Sequence, residues 1–265
     1  MLEKIQPLKD WGQHFLNDHY CQEIVRFADL TSQDMVLEIG PGTGQLTQHL
    51  LRVASGVIAI EVDPQLAQAL RENNPDTETK RLRIIEGDVL AISLKNLLPQ
   101  ERPHLVSNLP YNIATPIIRK IIKDDLYFET MTILVQKEVA QRIMAESGTR
   151  DFGYFTLLVQ SHYRVEKGFD IPPGAFSPPP AVDSTLIRLI PIKRSPSNHW
   201  NRLEPLASRA FRHPRKTLFN NLFRSGLLRA DVQIAMDKCG LKKQQRPHQV
   251  TLDEYCCLAQ LLKLS

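Results

Sequence analysis

The chain has 265 residues, 42% hydrophobic and 23% charged, the proportions of a globular protein with a sizeable buried core. That length allows one large domain or one large domain plus a small one, and no apolar run nears the roughly 18 residues of a membrane-spanning helix. The net charge of +4 hides an asymmetry: residues 1–192 carry 19 Lys/Arg against 24 Asp/Glu, and residues 193–265 carry 14 against 5.

A basic segment joined to a mildly acidic one points to a polyanionic partner, although a solvated helical surface would look similar. The opening "MLEKIQPLKDWGQ" has no apolar signal core and is no transit peptide, so a cytoplasmic protein is expected. Cys21, Cys239, Cys256 and Cys257 form no CxxC pair and are expected to be free thiols in a reducing compartment. A zinc site from Cys239, His248 and Cys256/Cys257 has no recognised spacing, and no metal is expected.

In chain order, "MVLEI" predicts a short buried strand that breaks at glycines before a helix marked by Leu46, Leu50 and Leu51. "GVIAIEVD" predicts a second strand, followed by the helix "PQLAQALREN" with Pro64 in its first turn. "LRIIEGDVL", "HLVSN" and "TMTILVQ" predict three more strands, the last feeding the helix "KEVAQRIMA". The proline-rich "IPPGAFSPPPAVDS" precedes a last strand, "TLIRLIPI". Strands alternating with helices predict a doubly wound, mostly parallel α/β sheet. Residues 193–198 are polar and proline-broken and predict a linker. Beyond it all patterns are helical, with Thr251 and Glu254 placed for a capping box. The predicted organisation is an α/β domain over 1–192, a linker over 193–198 and a small basic all-α domain over 199–265.

"EIGPGTG" puts Gly40, Gly42 and Gly44 at the first strand-to-helix turn, where glycine permits a tight turn and close approach of a ligand. Glu61 ends the second strand, where a carboxylate can accept from both ribose hydroxyls, and Asp88 follows the third, within reach of an adenine amine. Three consecutive strand ends thus form a nucleotide crevice. A dinucleotide wants G-x-G-x-x-G, and the third glycine is missing from that place. The balance tilts to S-adenosylmethionine.

"NLPYN" ends the fourth strand at the same edge. The Asn108 side chain and the Leu109 carbonyl can accept the two hydrogens of an exocyclic amine, aligning its lone pair for in-line displacement. Pro110 stiffens the loop and Tyr111 can stack on the base. The tetrapeptide resembles the (N/D/S)-(P/L/I)-P-(Y/F) motif of methyltransferases that act on exocyclic amines of bases. "GQHFLND" (12–18), "EIGPGTG", "NLPYNIATPI", "LVQKEVAQRI", "IPPGAFSPPPAVDS" and "RKTLFNNL" together resemble, in order and over essentially the whole chain, the ribosomal RNA adenine dimethyltransferases.

The resemblance implies a Rossmann-like S-adenosylmethionine-dependent methyltransferase sheet with an all-α C-terminal domain that recognises RNA. It implies His14 and Leu16 near the methionine part of the cofactor, Gly40 and Gly42 at the turn, Glu61 on ribose, Asp88 on adenine and Asn108 beside the methyl. Phe176 would sandwich the target base opposite Tyr111, and Glu38 would orient the glycine loop. The implied activity is dimethylation of the 6-amino groups of two adjacent adenosines in the 3′-terminal hairpin of small-subunit (16S) rRNA, leaving S-adenosylhomocysteine. The expected partner is small-subunit rRNA in a partly assembled pre-30S particle, with no membrane partner, and the protein is expected to be a monomer. Arg209, Arg212, Arg215 and Lys216 are candidates for phosphate contacts, but "RHPRK" interrupts the family's continuous basic run.

Three other readings compete. A large-subunit rRNA adenine methyltransferase of the macrolide-resistance type shares the cofactor loop and a similar tetrapeptide. A non-catalytic RNA-binding assembly factor would have no need of Glu61, Asp88 and "NLPY" together. A nicotinamide oxidoreductase is disfavoured by the glycine spacing.

Overall fold

The computed structural model describes residues 14–77, 79–98, 102–192 and 198–262. A two-residue strand β1 (Phe15–Leu16) leads into α1 (Asp18–Ala28), whose N-cap Asn17 accepts from the Tyr20 N–H. Then come β2 (Met35–Ile39), α2 (Gln45–Val53), β3 (Gly56–Glu61), α3 (Pro64–Asn73) and β4 (Leu82–Glu86). Asp63 caps α3 by accepting from the Gln65 and Leu66 amides, and Pro64 occupies its first turn as predicted. The chain continues through β5 (His104–Asn108), α4 (Ala114–Lys123), β6 (Met131–Gln136), α5 (Lys137–Met144), α6 (Tyr154–Gln160), β7 (Tyr163–Ile171), β8 (Phe176–Ser177) and β9 (Ser184–Pro191). Four helices follow: α7 (Asn198–Ala210), α8 (Leu218–Arg224), α9 (Arg229–Lys238) and α10 (Leu252–Leu261).

Seven strands form one sheet in the order β4-β3-β2-β5-β6-β9-β7. The pairs β2–β3, β2–β5, β3–β4 and β5–β6 are parallel, and β9 lies antiparallel on β6. The chain order reverses between β2 and β5, so the ends of β2, β3, β4 and β5 open on one crevice, the usual ligand position in such sheets. β3 is buried throughout, as expected of a strand covered on both faces. The helix α4 buries Ile117, Ile118, Ile121 and Ile122 along one stripe. A second, two-stranded ribbon pairs β1 antiparallel with β8, Phe15 opposite Ser177 and Leu16 opposite Phe176.

Two compact units result, 1–140 with 165–191, and 141–164 with 192–265. This differs from the predicted boundary at 192. The stretch containing α6, unassigned by sequence pattern, buries Phe152 and Leu157 with Leu206, Phe219, Leu222 and Tyr255 of the C-terminal helices. Packing partners, not order along the chain, assign it. Most of the predicted linker lies outside the described residues. Thr251 and Glu254 form the predicted capping box at the start of α10.

Cys239 and Cys257 correct the expectation of four free thiols: they form a disulfide. The end of α9 and the middle of α10 bring their Cα atoms to 6.0 Å, within the span a disulfide bridges. Cys21 and Cys256 are free. Among the described residues no helix is long and apolar enough to cross a membrane.

Candidate active site

A cavity of about 240 Å³ opens where the crevice was expected. Its wall includes His14, Leu16, Gly40, Gly42, Glu61, Asp88, Asn108, Leu109, Pro110 and Tyr111, so ten of the sequence-predicted site residues are brought together. Phe176 does not line it.

The glycine loop forms because β2 stops at Ile39 and three glycines follow with φ of +67°, +59° and +82°. At Gly42 a Cβ would stand 2.7 Å from the Phe15 ring. Only glycine combines that backbone with that proximity. The Gly42 N–H donates to one oxygen of Glu61 at 3.0 Å, and the Asp63 N–H donates to the other at 3.0 Å. Burial pushes the Glu61 carboxyl upward, and these two backbone donors act against the shift. Each oxygen keeps a further lone pair for a hydroxyl. Asp88 stands exposed at the end of the third crevice strand, one oxygen accepting from the Leu90 N–H at 2.8 Å.

Glu38 is 1% exposed beneath the loop. Burial lifts its carboxyl to about 8, against a hydrogen bond from Thr47 Oγ1 at 2.6 Å that pulls the other way. Near neutral pH it is a largely neutral group holding α2 to β2, a support for the glycine loop. Cys21, which sequence reasoning passed over, also lines the cavity. Burial raises its thiol to about 12, so it stays protonated and is not a nucleophile.

At the end of β5, Asn108 Nδ2 donates to the His14 carbonyl at 3.0 Å. Its Oδ1 is buried and has no hydrogen-bond partner. A buried acceptor left open in this way is unfavourable unless something else fills it, and it suits an amine donor. The Leu109 N–H donates to Leu134 O on β6 at 3.1 Å, and Pro110 lies against Gly40, whose Cβ position would be 3.2 Å from its ring. The loop after β5 and the glycine loop therefore brace each other.

Tyr111 is held from three sides. Its hydroxyl lies 2.5 Å from Ser184 Oγ. The His14 ring stacks on it with centroids 5.3 Å apart and planes 26° from parallel, and His14 Nδ1–H donates to the Pro178 carbonyl at 2.8 Å. Burial raises the phenol, so it stays neutral. Phe176 meets Tyr111 edge to face, centroids 6.5 Å apart and planes at 74°, instead of parallel across a gap. The β1–β8 pairing draws its ring into the core with Leu16, Ile24 and Ala175, where it is 5% exposed. Neither His14 on Tyr111 nor Ser184 behind it was foreseen, and both contacts join residues distant in sequence.

In the helical unit, Arg212 and Arg215 are exposed, Lys216 is half-buried, and Arg209 donates to the Pro205 carbonyl at 3.2 Å.

The comparisons with known proteins agree with one another. The family described as ribosomal RNA adenine dimethylase matches residues 6–264. A ribosomal RNA small subunit methyltransferase A of Legionella pneumophila (strain Corby) is 39% identical over 97% of this chain and 98% of its own. A crystal structure of a dimethyladenosine transferase from Plasmodium falciparum superposes with a TM-score of 0.80 at 25% identity, covering 92% of this chain and 96% of that one. The 23S rRNA methyltransferase ErmE gives a TM-score of 0.72 at 26% identity, covering 94% and 100%. A fold and a gathered set of crevice residues thus meet a full-length match. The chain belongs to the ribosomal RNA adenine dimethylase family.

Proposed function

We propose that this rRNA adenine dimethyltransferase acts on the 6-amino groups of two adjacent adenosines in the 3′-terminal hairpin of 16S rRNA, with S-adenosylmethionine as methyl donor. The observation that carries the reading is the buried, unpartnered Oδ1 of Asn108, on the wall shared by the glycine loop and Tyr111.

The residues present fit the cofactor. Gly40 and Gly42 bring bare backbone to the cavity wall, and Glu61 and Asp88 offer carboxylate oxygens there to ribose hydroxyls and an adenine amine. His14 and Leu16 would cover the methionine part. When bound, S-adenosylmethionine supplies a methyl group on a sulfonium and leaves as S-adenosylhomocysteine. Asn108 Oδ1 and the Leu109 carbonyl accept the amine's two hydrogens and turn its lone pair toward the cofactor, chiefly an orientation effect. No strong base is required, because the alkylated nitrogen releases its proton readily to water. Tyr111, kept neutral and anchored, offers its ring to an adenine taken out of its stack, and Phe176 would close on that base by rotating out of its edge-on packing. The helical unit, with its surplus of Lys and Arg, would hold rRNA phosphates through residues such as Arg212 and Arg215. The substrate would be a partly assembled small subunit, and the enzyme a cytoplasmic monomer.

The test is transfer of radiolabelled methyl to unmethylated small ribosomal subunits, with isolated large subunits and Asn108→Ala alongside. Dimethyladenosine near the 3′ end of 16S rRNA, lost in the variant, is the expected result. Label on the large subunit instead would favour the second reading, a 23S rRNA methyltransferase, which the likeness to ErmE motivates. Cofactor binding without label on either subunit would leave a non-catalytic assembly factor.

A further inference from the structure

Two sequence blocks, "LVQKEVAQRI" and "SPPPAVDS", have no role in the chemistry derived above, yet they converge on Tyr111. At the junction of β6 and α5, the Lys137 N–H donates to the Asp183 carbonyl at 3.0 Å and its ammonium to the Asp183 carboxylate at 3.2 Å. Gln136 stands opposite Ser184 across the β6–β9 ladder. Both contacts set the first residue of β9. Ser184 is fully buried, and its hydroxyl lies 2.5 Å from that of Tyr111. Tyr111 belongs to the loop after β5, whereas Ser184 lies 73 residues further on. A short loop following a strand leaves a tyrosine ring free to turn about χ1 and χ2. Anchoring the hydroxyl at the far end of the ring removes the first freedom; the hydroxyl lies on the χ2 axis, and the stacked His14 ring sets the plane.

We propose that Ser184 is a positioning residue for methyl transfer: through its hydrogen bond to the Tyr111 hydroxyl it fixes where the ring stands on which the target adenine stacks. The assignment rests on the reading of Tyr111 as the base-stacking ring. Ser184 touches neither substrate nor cofactor in this role. It acts on turnover with the base in place and leaves the cofactor's contacts alone.

The experiment is a double-mutant cycle on the full-length chain, Ser184→Ala, Tyr111→Phe and both together, read as methyl transfer to unmethylated small ribosomal subunits. Cofactor affinity and melting temperature are measured on each variant. Each single variant is expected to lower kcat about tenfold to a hundredfold, the effect of a slightly misplaced reacting group, with the KM for the methyl donor unchanged. The double variant is expected to lose no more than either single one, because both remove the same bond. Additive losses, or a Ser184→Ala rate equal to wild type, would overturn the assignment. A fall in melting temperature that accounts for the loss of rate in Ser184→Ala, with Tyr111→Phe fully active, would reduce the contact to packing and overturn it too. Absence of transfer by the wild-type protein itself would instead remove the stacking reading, and the assignment with it.

Discussion

The Gly42 N–H donates to the Glu61 carboxylate at 3.0 Å, tying the middle of the glycine loop to the end of the neighbouring strand β3. One carboxylate thus shapes the glycine loop and faces the cavity. Glu61→Ala would leave the Gly42 and Asp63 amides without that partner, at about 1–3 kcal/mol for each donor left unpaired. The expected outcome is a lower melting temperature and loss of the rise expected from S-adenosylmethionine in the wild type. A variant that still shows the full cofactor-dependent rise would separate Glu61 from the binding site.

Gly42→Ala tests the loop from the other side. The added methyl would meet the Phe15 ring at 2.7 Å, and the φ of +59° disfavours any L side chain. A cost of about 1–3 kcal/mol is expected from the backbone alone, with cofactor affinity reduced further as β1 is pushed aside. Calorimetric titration of the variant with S-adenosylmethionine checks this. Wild-type affinity would mean that β1 is not part of the site.

Glu38 makes stability depend on pH in a stated direction. Its carboxyl is raised from 4.5 to about 8 by burial, so across that window the folded chain holds a proton that the unfolded chain has released. The contribution of Glu38 to stability is full below the lower value and is lost as pH rises toward the upper one. Glu38→Gln keeps a neutral acceptor for Thr47 and removes the titration. The melting temperature of the variant is expected to gain on the wild type between pH 5 and pH 8, as buffer conditions in a thermal scan are stepped. Parallel curves for the two proteins would show that Glu38 does not titrate there.

In the helical unit, Thr251 and Glu254 bond reciprocally at the start of α10, Glu254 N–H to Thr251 Oγ1 at 3.3 Å and Thr251 N–H to Glu254 Oε2 at 2.7 Å. Thr251→Ala removes one half of that box and is expected to cost about 1 kcal/mol in a denaturant titration. The residue is exposed, so no cavity is left behind. No change in the transition midpoint would show that the buried face of α10 and its disulfide hold the helix without the cap.

How far the molecule could be read from its sequence follows from the range of the interactions. The five parallel strands, the glycine loop and the placing of Glu61, Asp88 and "NLPY" at neighbouring strand ends were legible because strand patterns and turn residues act within a few positions of themselves. The edge-on pose of Phe176 was not, because it is imposed by pairing with Leu16, far away in the chain. Nor was the placing of α6 with the C-terminal helices, since "YFTLLVQ" is apolar enough for a strand or a helix and its partners decide. Cys239 and Cys257 became a pair only when α9 and α10 packed, which no spacing rule announces.

The β1–β8 ribbon has a consequence for how the protein is made. A chain still emerging from its synthesis, with residues up to 140 exposed, already contains the glycine loop, both crevice acids and Asn108. It lacks the strand that receives Phe15 and Leu16, the Ala175 carbonyl that receives the Asn17 N–H at 2.9 Å, and the hydroxyl that receives Tyr111. The contacts that finish the cavity wall span about the longest loops in this unit and so close late. The cavity wall is therefore completed only after residue 184 has joined the fold, and the growing chain up to residue 140 holds the crevice acids without the ribbon that covers them.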